Sequence, residues 1–185
     1  MYYVDTSVLI SYVFASDIGH DVSRRILENV AARGQKLYAS SFTLVEMCNV
    51  VCRKIVKEKK LRLIEPLQSY VDVHGSEEDR CRFLLSLIIS FLKERLGIEF
   101  VDDENLYEFE SIDLNELRIP RIFRETILLS QKIPLRIKDL LHVAYASALS
   151  RTRNVKYFLT RDVEDFEKVK DEVKRLLQIE VVFVE

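Results

Sequence analysis

Four acidic residues, Asp5, Glu46, Asp139 and Asp162, each stand where a predicted strand gives way to a helix. They lie far apart along the chain, so only the fold can bring them together. Asp5 ends the opening strand Met1-Tyr2-Tyr3-Val4, and Asp162 follows a late strand, Val155 to Leu159, within Thr160-Arg161-Asp162. In a parallel sheet both strand ends open on one edge. Helix-covered sheets of this kind take their ligands in the crevice outside the carboxyl ends of the strands. Carboxylates crowded into such a crevice repel one another and attract a hard divalent cation. Oxygen-only ligands suit Mg²⁺ or Mn²⁺, whereas a carboxylate cluster without histidine ligands does not suit a catalytic zinc. The chemistry this serves is phosphodiester hydrolysis, because a cation acidifies bound water, neutralises the scissile phosphate and stabilises the leaving oxygen.

Each acid also has a purely structural explanation. Asp5 and Asp162 could cap the helices that follow them, and Thr43-Leu44-Val45-Glu46 matches a capping box in which Glu46 reaches back to a free backbone N–H. Asp139 could simply favour a helix dipole. His142, one turn after Asp139, reads as a packed or hydrogen-bonded histidine rather than a ligand or general base; His20 and His74 have no acidic or aromatic motif around them. Cys48 and Cys52 are also one turn apart, but without a paired His or a second Cys pair they read as core packing.

The elements needed to gather the acids are legible. After the first strand, Thr6 or Ser7 opens a short helix through Phe14, and Val22, Ile26 and Val30 mark a second helix that stops near Gly34. A strand from Lys36 to Ser40 leads into a helix from about Phe42 to Lys59, with Leu44, Met47, Val51 and Ile55 along its apolar stripe. Residues 60–98 hold Pro66, Gly75 and a helix starting near Ser76, with Glu77, Glu78 and Asp79 in its first turn. This segment reads as a helical insertion or lid. A short strand at Glu99 to Val101 follows, then helices at Asn115 to Gln131 and Lys138 to Arg151, the Val155 to Leu159 strand, a helix through Leu177, and a last strand at Ile179 to Val184. Strands alternating with helices argue for an α/β fold in three layers, α/β/α, around a central parallel sheet.

Bulk composition fits that architecture. The chain has 185 residues, so one domain spanning 1–185 is expected, with 60–98 inserted in it. A hydrophobic fraction of 48% beside 31% charged residues supplies both a core and a solvated surface, and only four Gly and three Pro leave little for linkers. A net charge of -2 denies the chain the global basicity of many nucleic-acid binders, so phosphate contacts must come from a local patch or a metal. The N-terminus runs straight into a strand without a secretory pattern, and the longest apolar stretch, Phe83 to Leu92, is interrupted by Ser86 and Ser90. That stretch is about half the ~20 residues a membrane span requires. Three cysteines, an odd number, suit reduced thiols. These features together read as a cytoplasmic protein with no membrane segment.

Four pieces in this order resemble the PIN domain family, the nuclease fold that includes VapC-type toxins of toxin-antitoxin pairs. They are the strand ending in Asp5-Thr6-Ser7; Ser41 to Glu46, opening the third helix; Lys138-Asp139-Leu140-Leu141-His142-Val143-Ala144; and Leu159-Thr160-Arg161-Asp162, with Asp165-Phe166 just beyond. The likeness covers almost the whole chain, and the long middle at 60–98 departs from a minimal toxin-like domain. It implies that Asp5, Glu46 and Asp139 form an acidic core binding Mg²⁺ or Mn²⁺, that Asp162 completes it, and that Asp165 falls where some members carry a further acid. Thr6, Ser7 and Thr160 then orient carboxylates or water. The expected activity is a metal-dependent ribonuclease. Its partners would be an RNA substrate, an antitoxin peptide lying across the cleft, and a second copy in a homodimer.

RNA contacts would draw on Arg53, Lys54 and Lys57 after Glu46, Arg136 and Lys138 before Asp139, and Arg161 beside Asp162, although a solvated surface role is the ordinary fate of such residues. The helix from Phe83 to Leu92 is apolar on more than one face, so it is either fully buried or turned toward a partner; self-association is the expectation. Two other classes fit less well. A haloacid-dehalogenase-like phosphatase needs an Asp where this chain has Ser7, and a response-regulator receiver needs an acidic pair near the N-terminus, whereas Asp102-Asp103 is misplaced. An RNA-processing PIN nuclease without a toxin role, or a non-catalytic PIN-like scaffold binding RNA or protein, is the remaining alternative.

Overall fold

A computed structural model describes residues 1–58, 60–72, 75–101, 104–111 and 117–185. Its central sheet has five strands, β1 (Tyr2–Val4), β2 (Leu37–Ser40), β3 (Glu99–Val101), β6 (Tyr157–Thr160) and β7 (Glu180–Phe183), in the order β3-β2-β1-β6-β7 and all parallel. Two further strands, β4 (Phe109–Ser111) and β5 (Arg118–Pro120), form a separate antiparallel ribbon that the sequence reading missed. The helices are α1 (Thr6–Val13), α2 (His20–Ala32), α3 (Ser41–Val50), α4 (Glu77–Leu96), α5 (Arg121–Ser130), α6 (Ile137–Arg153), α7 (Val163–Phe166) and α8 (Lys170–Leu177).

Strand alternation splits the core in two. Val4, Leu37, Ala39, Leu159 and Val184 face one side, where α1 to α4 deliver Val8, Leu9, Leu27, Met47, Leu84 and Ile88. Tyr3, Tyr38 and Phe158 face the other, against Ile122 of α5, Leu140 and Val143 of α6, Phe166 of α7 and Val173 of α8. The result is the three-layer α/β/α arrangement. From β1 the chain proceeds outward to β2 and β3 on one side, and later to β6 and β7 on the other. The strand order therefore reverses between β1 and β6, where such sheets open a crevice at their carboxyl edge.

Three sequence expectations change. The α3 helix passes at Val51–Lys57 into a π-helical stretch, whose wider turn lets Val51, Ile55 and Val56 all face the core. The helix expected from Asn115 begins at Arg121, because Pro120 disfavours helical backbone at Ile119 and the chain is extended there. The helix expected through Leu177 is two helices, α7 and α8. Lys59, His74, Asp102, Asp103 and Asn115 lie outside the described residues.

Within 60–98 the described residues hold a short 3₁₀ turn at Leu67–Tyr70 and the expected helix from Ser76, yet that helix, α4, is a wall of the core rather than a cover over the acids. Ser76 caps it by accepting the Asp79 N–H at 3.1 Å, and Gly97, at φ 63, ends it in the left-handed conformation that glycine tolerates. Leu84, Ile88 and Leu92 are fully buried, so Ile88 is not available to a partner, and Leu87 is itself half-buried against the same core. Phe83 of α4 is exposed, but exposed apolar side chains gather on α5, at Phe123, Ile127 and Leu128. Replacing Ile88 with Ala should cost about 2–5 kcal/mol in urea unfolding, and Leu87 with Ala distinctly less; equal losses would show that α4 does not present one inward face.

Candidate functional site

The acids converge as the switch point requires. Asp5 leaves the end of β1 and Asp162 follows β6, the two strands being direct neighbours. Glu46 projects from the second turn of α3, and Asp139 from the first turn of α6. A cleft of about 230 Å³ is lined by Asp5, Thr6, Ser7, Glu46, Lys138, Asp139, His142 and Asp162, with Ile10 and Val50 as its apolar wall. A larger cavity of about 440 Å³ between α1, α2 and α4 shares no lining residue with it and, among the described residues, holds no comparable carboxylate cluster.

The structural alternatives fail for Asp5 and Glu46 and hold in part for Asp162. Asp5 occupies the position before α1 but its side chain makes no capping bond; instead Oδ2 accepts from Ser7 Oγ at 2.9 Å and Thr160 Oγ1 at 2.8 Å. Ser40 caps α3 by accepting the Thr43 N–H at 3.2 Å, which overturns the capping box and leaves Glu46 free of it. Glu46 Oε2 accepts from Thr6 Oγ1 at 2.6 Å. Asp162 does cap α7, through Oδ1 and the Asp165 N–H at 3.3 Å, while its Oδ2 faces Arg136. The backbone is drawn in as well: Arg161 N–H donates to Ser7 Oγ and Asp162 N–H to Thr160 Oγ1. All three hydroxyls singled out in the sequence thus hold carboxylates.

His142 is more central than its sequence suggested. It is 2% exposed, its Nε2 lies 2.7 Å from Glu46 Oε2 and 3.3 Å from Asp5 Oδ1, and its Nδ1 lies 2.8 Å from Tyr3 Oη. Burial pushes its pKa down, but the carboxylates of Asp5, Glu46 and Asp139 outweigh burial and raise it above the ordinary value. Burial likewise acts to raise Glu46, but the bonds from His142 and Thr6 prevail and hold its carboxyl below the usual range. Asp139 goes the other way: burial raises it, and the neighbouring Asp162 and Asp5 add to that against Lys138 and Arg136. Tyr3, which the sequence reading missed, joins His142 to Ser40 Oγ at 2.9 Å, so the strand's own core aromatic braces the imidazole. Its only sequence signal is a polar-tipped aromatic two residues before Asp5.

Of the six candidate cations, Lys138 lines the cleft. Arg53 and Lys54 pair with Glu58, at 3.9 and 3.1 Å, and Lys57 is exposed beyond the cleft lining. Arg161 is taken by Asp17 at 2.6 Å, packed so closely under Gly19 that a Cβ there would lie 2.3 Å from its guanidinium. Arg136 bridges Asp139, Asp162 and Asp165.

Among the described residues, two groups of side chains bring ligand atoms within 4.8 Å of one another: Asp5, Glu46 and His142, and Asp139, Asp162 and Asp165. With His142 engaged by Glu46, the donors are carboxylate oxygens, and Asp5 and Asp139 are nearly buried. That donor set fits a hard divalent cation. The site defines a doubly wound α/β/α protein with a carboxylate cleft at its switch point, and the particular family follows from comparison. The PIN domain family matches residues 2–172, and the chain belongs to it. Members of that family are generally nucleases. No curated protein matches the sequence. Among solved structures, VapBC2 from Rickettsia felis, bound to a DNA fragment from its promoter, is similar in fold, with a TM-score of 0.53 at 16% identity over 100% of this chain and 98% of that one. Among the described residues, no helix is long and apolar enough to cross a membrane.

A raised His142 pKa gives stability that is full below the ordinary value of 6.5 and is lost as pH rises through the folded pKa. In metal-free protein, His142→Gln should therefore destabilise more at pH ~5.5 than at pH ~8.5 when followed by urea unfolding. An equal or greater penalty at the higher pH would contradict an imidazolium held between Asp5 and Glu46.

Proposed function

We propose that this chain is a divalent-metal-dependent endoribonuclease, the toxin component of a toxin-antitoxin pair, hydrolysing RNA phosphodiester bonds. The observation that carries the reading is the meeting of Asp5, Glu46, Asp139 and Asp162 in one cleft, with each of the first two carboxylates already fixed by hydroxyl or imidazole donors. Mg²⁺ or Mn²⁺ held there would supply the acidification of water and the neutralisation of phosphate that the hydrolysis needs. The chain's own residues do the rest. Ser7 and Thr160 fix Oδ2 of Asp5, and His142 Nε2 lies 3.3 Å from its Oδ1, so both oxygens of this cleft carboxylate are oriented. Thr6 and His142 keep Glu46 ionised. Lys138, exposed at the cleft lining, offers a cation to the substrate's phosphates.

Membership of the PIN family supports the nuclease assignment, and the likeness to VapBC2 supports a partner protein. A homodimer in the cytoplasm completes the reading, with the exposed Phe123, Ile127 and Leu128 of α5 as an apolar face for self-association in place of α4.

Purified protein should cleave a structured RNA with Mn²⁺ or Mg²⁺, stop in EDTA, and lose about 10²-fold or more of its rate in each of Asp5→Asn and Asp139→Asn, both verified as folded by circular dichroism. Cleavage that survives chelation and both substitutions would refute the assignment.

A further inference from the structure

The acid cleft already holds a cation, and it belongs to the chain. Arg136 stands at the residue before α6 with extended backbone, φ -63 and ψ 152, and its side chain makes no bond to cap the helix. The guanidinium turns instead onto three carboxylates. Its Nε meets Asp139 Oδ2 at 3.3 Å, and its Nη2 meets Asp162 Oδ2 at 2.9 Å and pairs with Asp165 as well. Asp139, Asp162 and Asp165 each place a carboxylate oxygen within 4.8 Å of the others.

We infer that Arg136 is the built-in occupant of the cation position formed by Asp139, Asp162 and Asp165, and that a divalent ion loads this position only by displacing its guanidinium. This rests on the reading above, that these carboxylates take a metal. A guanidinium and a divalent ion cannot share the same oxygens at contact distance, because like charges this close repel strongly. Arg136 carries one charge spread over a planar fork, whereas Mg²⁺ and Mn²⁺ carry two in a compact sphere that carboxylates prefer. Exchange is therefore favourable above a threshold of ion concentration and unfavourable below it. The guanidinium is also placed to leave: its side chain is 61% exposed while that of Asp139 beneath it is 5% exposed, so departure breaks ion pairs without opening the core. In metal-free protein Arg136 is thus committed to carboxylates, and a role in contacting RNA begins only once it is released.

Isothermal titration of Mn²⁺ into metal-free wild-type, Arg136→Gln, Arg136→Ala and Asp139→Asn proteins tests this, with thermal unfolding confirming that each is folded. Both Arg136 variants should bind Mn²⁺ about tenfold more tightly than wild type, the effect of removing one competing positive charge at contact distance. Unchanged or weaker binding in both, while Asp139→Asn weakens it, would overturn the inference and leave the metal site standing. Absence of Mn²⁺ binding in wild type and both Arg136 variants would remove the metal reading and the inference with it.

Discussion

Mutual repulsion among carboxylates is the constraint that the rest of this structure answers. Asp5, Glu46, Asp139, Asp162 and Asp165 are drawn to one edge of the sheet by the pairing of β1 with β6 and by the starts of α3, α6 and α7. Two of them, Asp5 and Asp139, are nearly buried, where water can no longer screen them. A fold that gathers acids this way must supply donors in the same place or lose stability. The donors come from two directions. Tyr3, His142, Ser7, Thr6 and Thr160 reach up from the core, and Arg136 and Lys138 reach in from solvent.

The same constraint explains what was readable in the sequence. Asp5 and Asp162 were legible because a short apolar strand ending in an acid is a local pattern, and the parallel sheet then dictates that both ends share an edge. Glu46 was legible as part of a helix start but was entangled with a capping box, since Thr43 and Glu46 have its spacing; Ser40, one residue earlier than the helix itself, does the capping instead. The hydroxyls at Thr6, Ser7 and Thr160 followed from standing beside the acids in sequence. What resisted reading was long-range pairing between charged side chains. Arg161 and Asp17 lie on different elements, and nothing near either predicts that they meet. Arg136 looked like a phosphate contact because two of its three acidic partners, Asp162 and Asp165, are brought to it only by the fold, which sets the start of α7 beside that of α6.

The fold shows the same division between local and non-local information. Alternating strands and helix stripes settled the layers but not the inward face of α4, because Leu85, Leu87 and Ile89 beside Leu84, Ile88 and Leu92 made that helix read as apolar on more than one face. The π-helical stretch at Val51–Lys57 was invisible because Val51 and Ile55 also satisfy an ordinary helical stripe, and only the burial of Val56 beside them reveals the wider turn. The β4–β5 ribbon was missed because its strands, Phe109–Ser111 and Arg118–Pro120, are exposed or half-buried and of mixed polarity, so no apolar pattern sets them apart from the helix that follows.

The two directions of compensation differ in kind, and that difference bears on how the cleft works. Donors from below are packed: His142 is enclosed by Phe42 and Tyr3, with ring centroids 5.0 and 5.9 Å away, so it cannot leave Glu46 without disturbing the core. Cations from above hang over the cleft on exposed side chains whose pairing is partly screened by water. Fixed donors keep the carboxylates oriented in every state of the protein, while mobile cations can exchange with whatever positive charge arrives. On the proposed reading, an ion arriving from solvent would meet carboxylates already aimed by the fixed inner donors, and what opposes its binding would be the exposed guanidinium of Arg136 rather than any rearrangement of the core.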